Sequence, residues 1–178
     1  MKVFLSADME GTCGIVSWPE TDRPTPMDYA PLQKQMTREV AAACEGALSG
    51  GAEEVFVKDA HDSARNIDPT QLPRNTRMHR AWSGDLLSMM CGLDREKFDG
   101  VIFTGYHAWA GCPGNSLSHT MNGRNNRVSL NGVWCSEFLL NAYTAGYFGV
   151  PVAMITGDGE SSARGVATQI GIDRVYAG

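Results

Sequence analysis

The chain has 178 residues, which is enough for one domain with a sizeable hydrophobic core. Its 15 basic and 20 acidic side chains give a net charge of -5 without any basic run, which argues against a nucleic-acid partner. No apolar stretch approaches the roughly 20 residues that cross a bilayer. The start, MKVFLSADMEG, lacks the long apolar core of a signal peptide, so we expect a cytoplasmic protein with no membrane partner.

The cysteines favour a reducing compartment. There are five, widely spaced and without a Cys-x-x-Cys pair: Cys13, Cys44, Cys91, Cys112 and Cys135. An odd number with this spacing predicts neither a disulfide framework nor a thiolate zinc site. We expect most of them to be small buried side chains.

Strands and helices alternate along the first half of the sequence. Residues 2–7 are apolar and β-favouring and predict a first strand. Four prolines between Trp18 and Pro31 predict an irregular loop. The next stretch, PLQKQMTREVAAACEGALSGG, predicts a helix over about 31–49, because apolar residues recur at helical spacing and two glycines follow. EEVFVKDAHDS predicts a second buried strand that runs into a polar loop.

The second half continues this alternation. SGDLLSMMCGL predicts a short helix, FDGVIFTGYHAW a third buried strand, and RVSLNG a short strand with an Asn-Gly turn. VWCSEFLLNAYTAGYFG predicts a helix of about four turns, VPVAMITGDGESSARGVATQIG a strand, a loop and a helix, and DRVYAG one more strand. The pattern predicts a single α/β domain over residues 1–178, with a mostly parallel sheet flanked by helices.

Polar side chains follow three of the predicted strands at the point where each strand ends. Asp8 and Glu10 follow the first strand, His61 the second and His107 the third. Because ligands bind at the carboxyl ends of parallel strands, we expect these side chains to converge there. Buried carboxylates are costly unless they are paired or bind a metal, and imidazole with carboxylate suits zinc or a similar divalent ion. The surplus of carboxylates suggests two ions that share one carboxylate, although each residue alone also fits a turn or a capped strand end.

Two further residues could join this site. His119 follows a glycine-rich loop that could carry a polar group over the site, although a surface histidine fits equally. Glu137 lies in the first turn of a predicted helix, where the helix dipole alone explains a carboxylate. Asp59 and Asp62 are expected to orient His61 or to cap a turn.

The segments SADMEG, KDAHDS, GYHA, SLSHTM and SEFLLNAYTAGYFGVPV occur in this order. In order and spacing they resemble the zinc-dependent D-aminopeptidase family, and the resemblance covers nearly the whole chain. It implies an aminopeptidase that hydrolyses N-terminal D-amino acids from short peptides by means of a water activated by two zinc ions. It also implies a ring-like homo-oligomer, a decamer in the family. Family members continue into a C-terminal domain, which we expect to be absent here.

The resemblance also assigns residues. It places the metal ligands on Asp8, Glu10, His61, His107 and Glu137, with Asp8 as the bridge between the ions. The additional catalytic histidine of the family falls on His119. Gly11 is expected to leave room beside the ions.

Three alternatives stay open. A metal-dependent phosphatase, or another metallohydrolase, also places acidic pairs after a first strand, and TGDGESS is the nearest candidate for a phosphate loop; it lacks the spacing of a dinucleotide fingerprint and a P-loop lysine. A cysteine hydrolase could use Cys13 or Cys112, but the acidic neighbours of Cys13 disfavour a thiolate. The third alternative is a catalytically inert metal-binding domain.

Overall fold

The computed structural model describes residues 1–112 and 116–158, and also the backbone of residues 175–177. Within these residues there are two helices, α1 (Pro26–Ser49) and α2 (Glu137–Tyr147). The strands are β1 (Lys2–Ala7), β2 (Glu54–Asp59), β3 (Thr76–His79), β4 (Gly100–Tyr106), β5 (Ser129–Leu130), β6 (Val133–Trp134), β7 (Val152–Gly157) and β8 (Val175–Ala177). Short 3-10 turns occur at Trp18–Glu20, Pro69–Gln71 and Ser88–Met90.

Six strands form one parallel sheet in the order β3-β2-β1-β4-β7-β8. Side chains that alternate along β1 point to opposite faces of this sheet. Phe4 belongs to the core that contains Phe103 and Phe138 of α2, whereas Leu5 belongs to the core that contains Val40 of α1. The sheet therefore has a hydrophobic core on each face, and the predicted α/β fold with a parallel sheet is confirmed.

Helix α1 begins earlier than the sequence predicts. The proline-rich stretch was expected to be irregular, yet Trp18–Glu20 forms a 3-10 turn and α1 starts at Pro26. A proline is well tolerated in the first turn, where its missing N–H has no helical partner. Pro31 lies inside the helix. Because proline has no N–H, it cannot donate the helical hydrogen bond to the carbonyl of Met27, an exposed residue four positions earlier.

Three other boundaries differ from the sequence prediction. The predicted helix in SGDLLSMMCGL is only the 3-10 turn Ser88–Met90, because Gly84 and Ser88 have φ of +78° and +50°. Strand β3 was missed because it has four residues at the edge of the sheet. The predicted turn at Asn131–Gly132 is present with φ of 52° and 83°, but a strand follows it, and α2 begins only after the N-cap Ser136. The helix predicted after β7 lies outside the described residues.

All five cysteines lie within the described residues, and none of them forms a disulfide bond there. Among the described helices, neither has the length and apolar character that crossing a membrane requires.

Two glycines allow the ends of β1 and β4 to approach closely. The N–H of Gly11 donates to the carbonyl of Gly105 at 2.8 Å. A Cβ on Gly11 would lie 2.0 Å from the carbonyl oxygen of Tyr106, and one on Gly105 would lie 2.2 Å from that of Asp8. The reason for Gly11 is therefore the neighbouring backbone rather than room for ions, and this approach sets Asp8 beside the end of β4.

We expect Gly105→Ala to lower the free energy of unfolding by roughly 3 kcal/mol, because φ is +69° and the backbone of Asp8 has to move. Urea unfolding followed by circular dichroism measures the effect. Gly46→Ala is the matched control, since nothing lies within 4 Å of its Cβ in α1 and alanine should stabilise the helix by about 0.5–1 kcal/mol. An unchanged unfolding midpoint for Gly105→Ala would contradict the close approach.

Candidate metal centre

The structure brings together all six residues that the sequence analysis assigned to the site. Four of them follow strands β1, β2 and β4, one begins α2, and one lies in the loop after β4. Five are buried, and the sixth, His119, exposes 11% of its side chain. The six residues are Asp8, Glu10, His61, His107, His119 and Glu137.

The ligand atoms form two groups of three that share Asp8. In the first group, Nδ1 of His61 lies 3.5 Å from Oδ1 of Asp8 and 3.1 Å from Oε2 of Glu10. In the second, Nε2 of His107 lies 3.3 Å from Oδ2 of Asp8 and 3.4 Å from Oε1 of Glu137. Within each group the ligand atoms lie within 4.8 Å of one another. Asp8 thus turns one oxygen toward each group.

His119 lies beside both groups. Its Nε2 is 3.7 Å from Oε1 of Glu10 and 3.5 Å from Oε1 of Glu137, and its ring stacks on that of His107 with centroids 4.0 Å apart. Glu10, His107 and His119 also form a third group with metal-ligand spacing. The geometry therefore allows His119 either to bind a metal or to act on a molecule beside it.

Backbone carbonyls hold the three imidazoles by the nitrogen that points away from the site. The contacts are His61 Nε2 to Thr21 O at 2.9 Å, His107 Nδ1 to Ala108 O at 3.0 Å, and His119 Nδ1 to Leu117 O at 2.9 Å. A carbonyl only accepts, so each of these nitrogens donates its hydrogen. In the neutral imidazole the opposite nitrogen then carries a lone pair toward the carboxylates, as a metal ligand requires.

The carboxylates and imidazoles shift one another's pKa. Burial by itself lowers the pKa of His61 and His107, but the adjacent carboxylates outweigh it and hold both pKa values well above the ordinary range. Burial and the other carboxylates raise the pKa of Asp8 and Glu137, and the imidazoles more than reverse this, so that both pKa values are lowered. Without a metal, protonated imidazoles therefore balance the ionised carboxylates.

Three buried polar atoms of the cluster make no hydrogen bond to any described residue: Asp8 Oδ2, Glu10 Oε2 and His107 Nε2. Buried polar atoms nearly always have a partner, because leaving one without a partner is costly. All three belong to the groups with metal-ligand spacing. The donor set therefore fits divalent metal ions.

Asp59 supports the site without joining it. Its carboxylate accepts hydrogen bonds from the backbone N–H groups of Asn66 at 2.6 Å and Ile67 at 2.9 Å, and from the side chain of Asn66 at 2.8 Å. The same Asn66 amide donates to the carbonyl of His61 at 2.7 Å. Asp59 thus orients His61 through the loop, one of the two roles expected for it, whereas Asp62 lies at the surface of the cleft. Thr21 and Asn66 were missed, since no local motif marks a carbonyl or amide as a support.

The groups open onto a cleft of about 420 Å³. His119 lines this cleft, whereas His107 lies behind it and is 1% exposed. Trp18 packs edge-on against His119 with ring centroids 5.2 Å apart. A small molecule in the cleft would therefore contact both His119 and the two three-ligand groups that share Asp8, which are called the metal groups below.

Comparison with known proteins gives consistent results. A curated D-aminopeptidase from Bacillus subtilis (strain 168) is 36% identical over 160 residues, which cover 89% of this chain and 56% of that protein. The solved Zn-dependent D-aminopeptidase DppA from Bacillus subtilis, described as a self-compartmentalizing protease, matches with a TM-score of 0.90 and 32% identity. That match covers 99% of this chain and 63% of the other. The chain thus spans less than two thirds of the length of either relative.

A further match, to copper-transporting ATPase 2 of Mus musculus, is 42% identical over 60 residues but covers 28% of this chain and 4% of that protein, too little to bear on function. The model of a peptidase family described as D-aminopeptidase matches residues 1–172, nearly the whole chain. The chain belongs to the D-aminopeptidase family.

Proposed function

We propose that this chain is the catalytic part of a zinc-dependent aminopeptidase that removes N-terminal D-amino acids from short peptides. The observation that carries the proposal is the pair of three-ligand groups that share Asp8 and open onto a cleft. Membership of the D-aminopeptidase family and the zinc dependence of the solved relative support it.

Two zinc ions would be held by the two groups. Asp8, Glu10 and His61 would hold one ion, and Asp8, His107 and Glu137 the other. Bound zinc polarises a carbonyl group and lowers the pKa of water. The three carboxylates offset three of the four positive charges, which keeps the pair electrophilic.

His119 would move the proton that peptide hydrolysis requires. Its Nδ1 is held by the carbonyl of Leu117, and its Nε2 lies near Glu10 and Glu137 at the cleft. This placement suits proton donation from Nε2 to the leaving amine. The same atom would serve if this histidine instead stabilised the oxyanion or acted as a nucleophile.

The cleft also provides charge for the substrate. Asp22 and Asp62 line it and are exposed, outside the groups with metal-ligand spacing. Their negative charge would attract the free α-ammonium group that an aminopeptidase substrate carries.

We propose that the protein assembles as a homo-oligomer, in the form of a ring of ten subunits. The description of the solved relative as self-compartmentalizing supports an oligomer. Exposed apolar side chains on the β5–β6 hairpin, at Leu130, Val133 and Trp134, are suited to a contact between subunits. The proposed location is the cytoplasm.

A phosphatase is the alternative that assays separate most directly. Of its candidate loop TGDGESS, only residues 156–158 are described, and the rest lies outside the described residues. Turnover of D-alanine p-nitroanilide without turnover of p-nitrophenyl phosphate would support the peptidase.

We expect Asp8→Asn to lose most of the zinc, from about two ions per chain in the wild type, because both groups share this carboxylate. Metal analysis by mass spectrometry after dialysis measures the content, and circular dichroism checks the fold. Asp22→Asn is the matched control, a carboxylate of the same cleft that should leave zinc unchanged. Retention of both ions by Asp8→Asn would refute the shared ligand.

We expect His119→Ala to keep both zinc ions and to lower kcat roughly 10²–10⁴-fold, because its imidazole moves a proton rather than binding metal. The assay is hydrolysis of D-alanine p-nitroanilide, with zinc content determined on the same sample. His79→Ala, on edge strand β3, is the control and should retain both properties. Loss of one zinc ion together with activity would instead make His119 a ligand.

We expect zinc binding to the metal-free protein at pH 7 to release about two protons per chain. The carboxylates hold the pKa of His61 and His107 above its ordinary value, so both imidazoles are protonated until zinc displaces the proton. Zinc affinity should therefore fall as pH is lowered. Calorimetry in buffers of different ionisation enthalpy measures the number, and a heat independent of the buffer would contradict the protonated pair.

A further inference from the structure

Lys58 is a fully buried cation on β2, and no carboxylate lies within 4.0 Å of its ammonium group in the described part of the chain. Its Nζ donates to the carbonyls of Asp59 at 2.7 Å and Ala81 at 3.0 Å. It also lies 4.1 Å from the centroid of the Trp82 ring. A buried ammonium without a counter-ion is costly, so its contacts point to a positioning role.

Trp82 is fixed at both its ring and its backbone. Its Nε1–H donates to the carbonyl of Asp62 at 2.6 Å, and the preceding residue, Ala81, has a φ of 65° that alanine rarely adopts. Ala81 is held in this conformation from both sides, since its N–H donates to Ala64 at 2.7 Å and its carbonyl accepts from Lys58. Strain that is held by several contacts favours a functional position for the residue beside it.

Trp82 lies where two cavities adjoin. Trp82 lines both the metal cleft and a smaller cavity of about 230 Å³, whereas Lys58 lines only the smaller one. The ammonium group therefore occupies one face of the 44% exposed indole, and Lys58 does not line the metal cleft, which leaves the rest of the ring to border it.

The position of Lys58 decides what chemistry suits the open side of the indole. A ring attracts a cation through the negative charge of its face. With an ammonium group already on one face, a second cation on the opposite face meets electrostatic repulsion. The cleft side of Trp82 is therefore suited to an apolar group rather than to the substrate's ammonium.

We propose that Trp82, positioned by Lys58, is the wall against which the side chain of the substrate's N-terminal D-residue packs, and that it favours large apolar side chains. Met89 and Met121 line the same cleft and extend the apolar surface. This specificity role rests on the proposed peptidase function.

The test compares D-phenylalanine and D-alanine p-nitroanilides on the zinc-loaded protein. Trp82→Ala should raise KM for the phenylalanine substrate about tenfold, with a smaller effect on the alanine substrate, because the apolar contact is lost. kcat and zinc content should not change. Trp82→Phe should retain most of the discrimination, which is the ratio of the KM values for the two anilides. Tyr147→Ala, an exposed aromatic residue at the end of α2, is the control for removing an aromatic side chain elsewhere. An unchanged ratio of KM values in Trp82→Ala would overturn the proposal.

Lys58→Met tests the positioning role, because it removes the charge and keeps an unbranched side chain. It should reduce the same discrimination with kcat and zinc content retained, and full retention of discrimination would overturn the role of Lys58. If this variant does not fold, the two Trp82 variants decide the proposal for the wall.

Binding of free D-phenylalanine separates failure of the wall from failure of the peptidase. Calorimetry on the zinc-loaded protein should show about tenfold weaker binding to Trp82→Ala than to wild type. A wild type that hydrolyses neither anilide refutes the peptidase, whereas the wall is still supported if D-phenylalanine binding depends on Trp82. If both anilides are hydrolysed but wild type and Trp82→Ala bind D-phenylalanine equally, only the proposed role of Trp82 is refuted.

Discussion

The concentration of negative charge at one edge of the sheet is the constraint on which the rest of the structure depends. Asp8, Glu10 and Glu137 are each no more than 4% exposed and lie around the same imidazoles. Like charges at such short range require compensation, which protonated His61 and His107 supply in the metal-free protein and two metal ions would supply in the loaded one. The cost of burial is the reason why this cluster would favour a divalent metal ion.

The backbone around the cluster is arranged to fix its side chains. Gly11 and Gly105 allow the ends of β1 and β4 to lie in contact, and carbonyls bind the outward nitrogen of each histidine. Asn66 connects the loop after β2 to the carboxylate of Asp59. These contacts reduce the freedom of the ligands before any ion binds, which lowers the entropic cost of binding.

Lys58 is a second buried charge, and it is balanced differently. Carbonyl groups and the face of Trp82 replace a counter-ion, and the hydrogen bonds hold the loop that forms one side of the cleft. The residue that orients His61 and the residue that holds this side of the cleft come from the same strand, since Asp59 and Lys58 are consecutive on β2. A single strand thereby contributes to a proposed reaction centre and to a proposed specificity surface.

The sequence by itself determined the α/β class and the convergence of Asp8, Glu10, His61 and His107, because the carboxyl ends of parallel strands share one edge. Glu137 and His119 required a family resemblance, since a helix start and a loop do not specify which edge they reach. Only the tertiary structure decided which ligands join Asp8 in each group, which nitrogen each histidine presents, and the roles of Thr21, Asn66 and Trp82. These depend on hydrogen bonds between distant parts of the chain, such as the one between Thr21 and His61, which are 40 residues apart. Local residue patterns do not specify such long-range contacts.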